Sequence, residues 1–368
     1  LEGSALRWII RLKAESDNLR AAFEWGMETN VTAVLMMAHS LQYFWYRRGY
    51  ETEGRKWVEE ALERLQSVPA AEGEDARQRM IVAAKAWQAI SFLATSQGDF
   101  SNATTASRKC EELARQLGDK RLLATVLAFG ASSKMMSGDH TYADTVVEEV
   151  FSIARESNDP FALSVAHGMI GLDMLLKSQD TKTANEHVSK GLALLKNTPH
   201  HFWQTMMLFG LGMAARFQGR FDEARERFGP LLDIFHEMGD QHRTNMIHSE
   251  CAHMQRLEGH HDKAESMYRE TILEWERLGH RAAVANQLEC FAFIAKAHEQ
   301  PERAIKLLGA AERLREIIKI DMSDMERVEY DREVADLKAN IGEKEFTLLW
   351  AEGRSMTMEQ AIELALMA

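Results

Sequence analysis

Gly219-Arg220-Phe221-Asp222-Glu223-Ala224-Arg225-Glu226-Arg227-Phe228 decides the fold, because its pattern returns forty residues later as Gly259-His260-His261-Asp262-Lys263-Ala264-Glu265-Ser266-Met267-Tyr268. In both stretches a glycine is followed five positions on by alanine and nine positions on by an aromatic ring. The small residue extends in both directions as Gly54, Ala103, Ala143, Ala184, Ala224, Ala264 and Ala304, with steps of 49, 40, 41, 40, 40 and 40. A fixed period of this size, marked by a chain breaker and then a small residue, indicates a stacked array of repeats. Two antiparallel helices joined by a tight turn approach most closely beside that turn, where little more than a Cβ fits. The bulky partners follow four residues later on the same helical face, at Val58, Ser107, Val147, Val188, Phe228, Tyr268 and Leu308, with Ser107 the polar member of the set.

The whole chain is consistent with that reading. It has 368 residues, of which 45% are hydrophobic and 27% charged, with only five prolines, which suits a long helical protein and excludes a disordered one. A repeat array buries its core between neighbours, so one elongated domain is expected rather than several globular ones. The net charge of −12 makes the chain a poor electrostatic partner for nucleic acid or anionic lipid, so neither contact is expected. Cys110, Cys251 and Cys290 lie far apart without CxxC spacing and read as reduced thiols, not as a disulfide or metal set. No run reaches the ~18 apolar residues of a membrane span and no signal peptide opens the chain, so a soluble, cytoplasmic protein is expected. The start, Leu1-Glu2-Gly3-Ser4, lacks a methionine and reads as a cloning scar or, preferably, the cut edge of a longer protein.

The periodicity predicts lead-in helices over 1–30, with Ser16-Asp17-Asn18 as capping residues, then a repeat region over 31–318 and capping helices over 319–368. The long first interval places an exposed loop or hinge at Ser67 to Asp75, around Pro69 and Gly73. Pro230 predicts a kink or a break in its helix, since a proline in mid-helix costs ~3 kcal/mol. Thr357-Met358-Glu359-Gln360 reads as a capping box opening the last helix.

Turns reading Gly-Arg-Phe-Asp-Glu-Ala-Arg (219–225) and Gly-His-His-Asp-Lys-Ala-Glu (259–265), each followed by an aromatic residue, resemble the tetratricopeptide repeat. The period of about 40 departs from that family's 34 and is similar to the longer variant in the sensor regions of bacterial signal-transduction ATPase regulators of the MalT, AfsR and LuxR-like kind. Glu15 to Trp25, the Arg48-Gly49-Tyr50 and Glu53 to Trp57 stretches, and Gly342 to Ile362 resemble the beginning and end of such regions. The resemblance implies an all-α, right-handed superhelical solenoid of about seven helix pairs. It further implies a neighbouring nucleotide-binding module and an output module in the full-length protein. This chain has no GxxxxGK[ST] loop, so no cofactor-binding site is expected in it.

Candidate chemistry is sparse. His248, Cys251 and His253 do not converge on one helix face, and carboxylate pairs such as Glu59-Glu60 point to different sides, so neither a metal centre nor a catalytic pair is expected. No GxSxG or HExxH pattern occurs, and the chain reads as a non-enzyme. The resemblance places the first helix of each unit on a concave groove. Counting back from the turns along those helices selects Tyr43, Tyr46, Phe92, Met135, Met169, Asp173, Phe209, Met213, Arg216, His253, Arg256 and Phe293 as candidate groove residues. This mixture suits a protein, peptide or small-molecule effector. The expected role is the sensor or interaction region of a bacterial transcriptional regulator, coupled to an adjacent ATPase. The competing reading is a ligand-free scaffold that assembles proteins or self-associates as a homodimer.

Overall fold

The computed structural model describes residues 8, 10–67, 72–136, 140–157, 159–176, 181–196, 201–318, 320, 322 and 324–367. Among them are helices and turns and no strand. The lead-in helix α1 (Ser16–Thr29) precedes the pairs α2 (Val31–Arg48) with α3 (Glu51–Ser67), α4 (Gly73–Ser96) with α5 (Phe100–Leu117), and α6 (Lys120–Met136) with α7 (His140–Ser157). There follow α8 (Pro160–Leu176) with α9 (Thr181–Leu195), α10 (His201–Phe217) with α11 (Phe221–Glu237), α12 (Gln241–Leu257) with α13 (His261–Leu278), and α14 (Arg281–Ala297) with α15 (Pro301–Ile318). Three further helices close the chain: α16 (Asp324–Ile341), α17 (Glu343–Arg354) and α18 (Met358–Leu366). The fold is the all-α repeat of helix pairs that the periodicity predicts. Both hydrogen bonds of the capping box are present, Gln360 N to Thr357 Oγ1 at 3.2 Å and Thr357 N to Gln360 Oε1 at 2.9 Å.

The recurring small residue sits where the helices of a pair come closest. Ala103, Ala184, Ala224, Ala264 and Ala304 are each wholly buried; the side chain of Ala143 lies outside the described residues. At Gly54 even a Cβ would fall 2.4 Å from the Trp45 ring. Four residues on, Val58, Val188, Phe228, Tyr268 and Leu308 fill the core. Ser107, the polar member, is buried too, and its hydroxyl donates to the Val126 carbonyl on α6 at 3.4 Å.

Two expectations change. Helix α11 runs unbroken from Phe221 to Glu237 with Pro230 inside it. Gly229 and Pro230 lie on its exposed side, so the carbonyl that loses its partner is that of exposed Glu226, which water can serve. Of the stretch Ser67 to Asp75, both described ends are helical, Ser67 closing α3. Residues 68–71, with Pro69, lie outside the described residues, whereas Gly73 already begins α4, with Glu74 and Asp75 in its first turn complementing the helix dipole.

The chain divides into two compact units. The first takes α1 to α11 and the first turn of α12 as far as Thr244, apart from the segments Gln97–Ser101 and Met136–Gly138. Its core includes Phe23, Val34, Leu35, Trp45, Val58 and Leu93. The second takes those two segments and the chain from Asn245 onward. Its core gathers Tyr268, Ile272, Trp275, Leu288, Phe291 and Leu308 with Phe346, Leu349, Ala361 and Ile362 of the closing helices.

Candidate functional site

In the first unit, Tyr43, Tyr46 and Phe92 come together. The Tyr43 and Phe92 rings are 5.0 Å apart in an edge-on arrangement, and Tyr46 stands 5.3 Å from Phe92. The row continues through three residues that counting from the turns does not select. Phe129 lies 6.2 Å from Phe92 and Trp203 lies 4.7 Å from Phe129, with Phe161 6.1 Å beyond Trp203. These rings sit on α2, α4, α6, α10 and α8, all first helices of their pairs. Tyr43, Phe129, Trp203 and Phe161 are half-buried, so the row is not wholly withdrawn from solvent. Burial pushes the Tyr43 hydroxyl up to about 12, which leaves it a protonated donor at neutral pH. His39, one turn before Tyr43, is held down to about 4 by burial and by nearby Lys85, and is neutral.

Other candidates fall elsewhere. Met169 is buried in the core shared by α6 and α8. Phe209 turns into its own helix pair, 5.5 Å from Phe228. Met213 is half-buried, as is Arg216, whose guanidinium rests 3.8 Å from the centre of the Phe217 ring. The side chains of Met135 and Asp173 lie outside the described residues.

Beside Tyr46 the first unit closes on itself through buried charge. The Arg48 guanidinium donates to the Gly239 carbonyl at 3.4 Å, and Arg47 stands 3.8 Å from Asp240. Asp240 caps the start of α12 by accepting from the Arg243 backbone N–H at 3.0 Å, and its other oxygen accepts from Arg243 Nε at 2.7 Å. Arg243 also donates to Thr205 Oγ1 at 2.6 Å and lies 4.2 Å over the Phe235 ring. Next to it, His242 Nε2 meets the Ser96 carbonyl at 2.8 Å. Arg243 and Asp240 are 2% and 0% exposed, so neither charge can be served by water. Nothing in the local sequence marks this latch, since its partners are separated by most of the first unit.

In the second unit, His253, Arg256 and Phe293 do converge. Tyr268 OH and His253 Nδ1 are 2.6 Å apart, and the Cys290 thiol is 3.5 Å from the same nitrogen. Burial raises the Cys290 thiol to about 11, so it is inert rather than a thiolate. Arg256 lies 5.0 Å over the Phe293 ring and makes a bidentate pair with Glu329 of α16, at 2.7 and 2.8 Å. Among the described residues no group of three or more potential metal ligands forms, and no helix is long and apolar enough to cross a membrane.

No family model matches the chain. Three curated mycobacterial proteins, one from Mycobacterium bovis and two from strains of Mycobacterium tuberculosis, are named as candidate HTH-type transcriptional regulators. Each is 35% identical over 129 residues, covering 34% of this chain and 14% of the relative's length. Among solved structures, a Rap protein crystallised with competence and sporulation factor superposes with a TM-score of 0.47 at 14% identity, over 88% of this chain and all of that one.

Proposed function

We propose that this chain is the helical-repeat interaction region of a transcriptional regulator, and that the aromatic row of its first unit receives an apolar segment of a protein or peptide partner. The observation that carries the proposal is the row itself, Tyr43-Phe92-Phe129-Trp203-Phe161. Its rings are fixed by one another; Phe92 is buried, while Tyr43, Phe129, Trp203 and Phe161 are half-buried, as at the anchor sites of protein interfaces. The partial likeness to the mycobacterial proteins supports the regulatory setting. In a longer protein of that kind, occupation of the row would shift a neighbouring ATPase between two states, to the extent that the partner binds one state better.

The test is selection of phage-displayed peptides on the intact chain and on a Tyr43→Glu/Phe129→Glu variant. Peptides enriched on the native chain, carrying apolar residues at helical or alternate spacing and lost on the variant, are the expected result. Equal recovery from both proteins would remove the row as a binding surface. Self-association without a ligand, the competing role, predicts instead a dimer in native mass measurement that the same variant dissolves.

A further inference from the structure

Helix α16 interrupts the otherwise regular end of the second unit. The helices after it are tied firmly to the array. The α17 backbone crosses α15 so closely that a Cβ at Gly353 would lie 2.0 Å from the Lys306 carbonyl oxygen. Helix α18 gives its last carbonyls to Arg303 and Arg269. Helix α16 is held differently. Among its described side chains only Leu337 is fully buried, Tyr330, Val334 and Ile341 are half-buried, and Val328 is 74% exposed. Its remaining hold is ionic: Glu329 grips Arg256 on α12, while Glu333 and Asp336 take Lys296 on α14 at 2.7 and 2.8 Å. Glu326 accepts from Asn286 of α14 at 2.9 Å. One acidic side of α16 therefore lies across the first helices of two successive pairs, where sequence counting places Arg256 and Phe293.

We propose that α16 is a resident, displaceable occupant of a docking face on α12 and α14, and that this face selects an acidic helical segment of a protein partner. Charge complementarity commits the occupant's chemistry. Arg256, set over Phe293, offers a planar fork to one carboxylate, and Lys296 offers a point charge that already gathers two. Both ends of α16 stay anchored when it leaves. Ile320 and Met322 are buried before it, and Gly342, at φ 89°, turns the chain into α17 behind it. This reading stands independently of the aromatic row in the first unit.

Hydrogen exchange read by mass spectrometry on the full chain tests it, with a peptide of residues 324–341 as the probe in trans. Raising sodium chloride from about 0.05 M to about 0.5 M shortens the Debye length about threefold and should speed exchange in α16 while leaving α17 and α18 unchanged. In the Glu329→Gln/Glu333→Gln/Asp336→Asn chain, α16 should exchange at least tenfold faster than in the native chain. That chain should bind the labelled peptide at least tenfold more tightly than the native chain does. Adding Arg256→Gln/Lys296→Gln should abolish peptide binding. The proposal fails if α16 exchanges in step with α17 and α18 in every salt, or if the peptide binds equally with and without Arg256 and Lys296.

Discussion

Gly54 shows why one repeat differs from the rest. Ala94, Ala215 and Ala295 occupy, in their own pairs, the position four before the turn that Trp45 occupies in the first, and only there has the small residue shrunk to glycine. The Trp45 ring fills the space an alanine methyl would need. Gly54→Ala should therefore lower stability by about 1–3 kcal/mol through overpacking, measured as a reduced midpoint in urea, while the helix content at low denaturant stays unchanged. Histidine gives a second prediction at this scale. His280 is half-buried at the start of α14, where its Nδ1 accepts from the Ala283 backbone N–H at 3.1 Å, and desolvation of the ring lowers it to about 4. His39 is lowered to the same value. Both are neutral in the folded chain and take up protons near pH 6.5 once unfolded. Their contribution is thus complete above about pH 6.5 and is lost as pH falls toward 4. Denaturation at pH 7 and pH 4.5 should show this loss, and His280→Asn, which keeps a capping side chain, should flatten the dependence.

At the scale of the helix, the exposed side of α11 carries two residues that weaken it without serving the core. Apart from its chain neighbours and its own helix backbone, a Cβ at Gly229 would meet nothing within 4 Å, and Pro230 removes a donor facing water. Pro230→Ala should raise stability, and Gly229→Ala in that background, where no proline ring crowds the new Cβ, should add about 1 kcal/mol more, seen as a higher thermal midpoint. A fall in stability would mean that the proline shapes the helix in a way the neighbours require. The helices themselves were legible because period, breaker and small residue all report on a local event, the closure of one pair. Pro230 makes no break because its missing hydrogen bond faces solvent, which the sequence pattern does not say. The same holds at the start of α4: Gly73 looks like loop chemistry, yet Glu74 and Asp75 behind it open a helix. The candidate site was legible at Tyr43, Tyr46, Phe92, Arg256 and Phe293, which lie near a turn that fixes their register. Phe129 and Trp203 were not, since a ring far from the turn joins the row only through packing between different pairs.

At the scale of the molecule, the decisive contacts are those that no repeat contains. The latch of Arg47, Asp240 and Arg243 joins the beginning of the first unit to its end, and sequence periodicity carries no trace of it because each partner occurs once. Asp240→Ala should cost about 3–5 kcal/mol, because it strands Arg243 in a dry interior beside Arg47. Asp240→Leu combined with Arg243→Met should recover much of that loss, which a double-mutant cycle in urea measures directly. Fluorescence anisotropy with labelled duplex DNA should show no binding by this chain at physiological salt, as its charge of −12 implies. The latch also sets a clock on biosynthesis. Arg48 leaves the ribosome 191 residues before Gly239 does, so at about 5–20 residues per second the nascent chain spends roughly 10 to 40 s with this end unmade. Through that interval each helix pair becomes available to fold against its neighbour as it emerges. A message truncated before Gly239 would then release a polypeptide with well-formed pairs and two arginines still seeking partners, a natural client for chaperones and proteases.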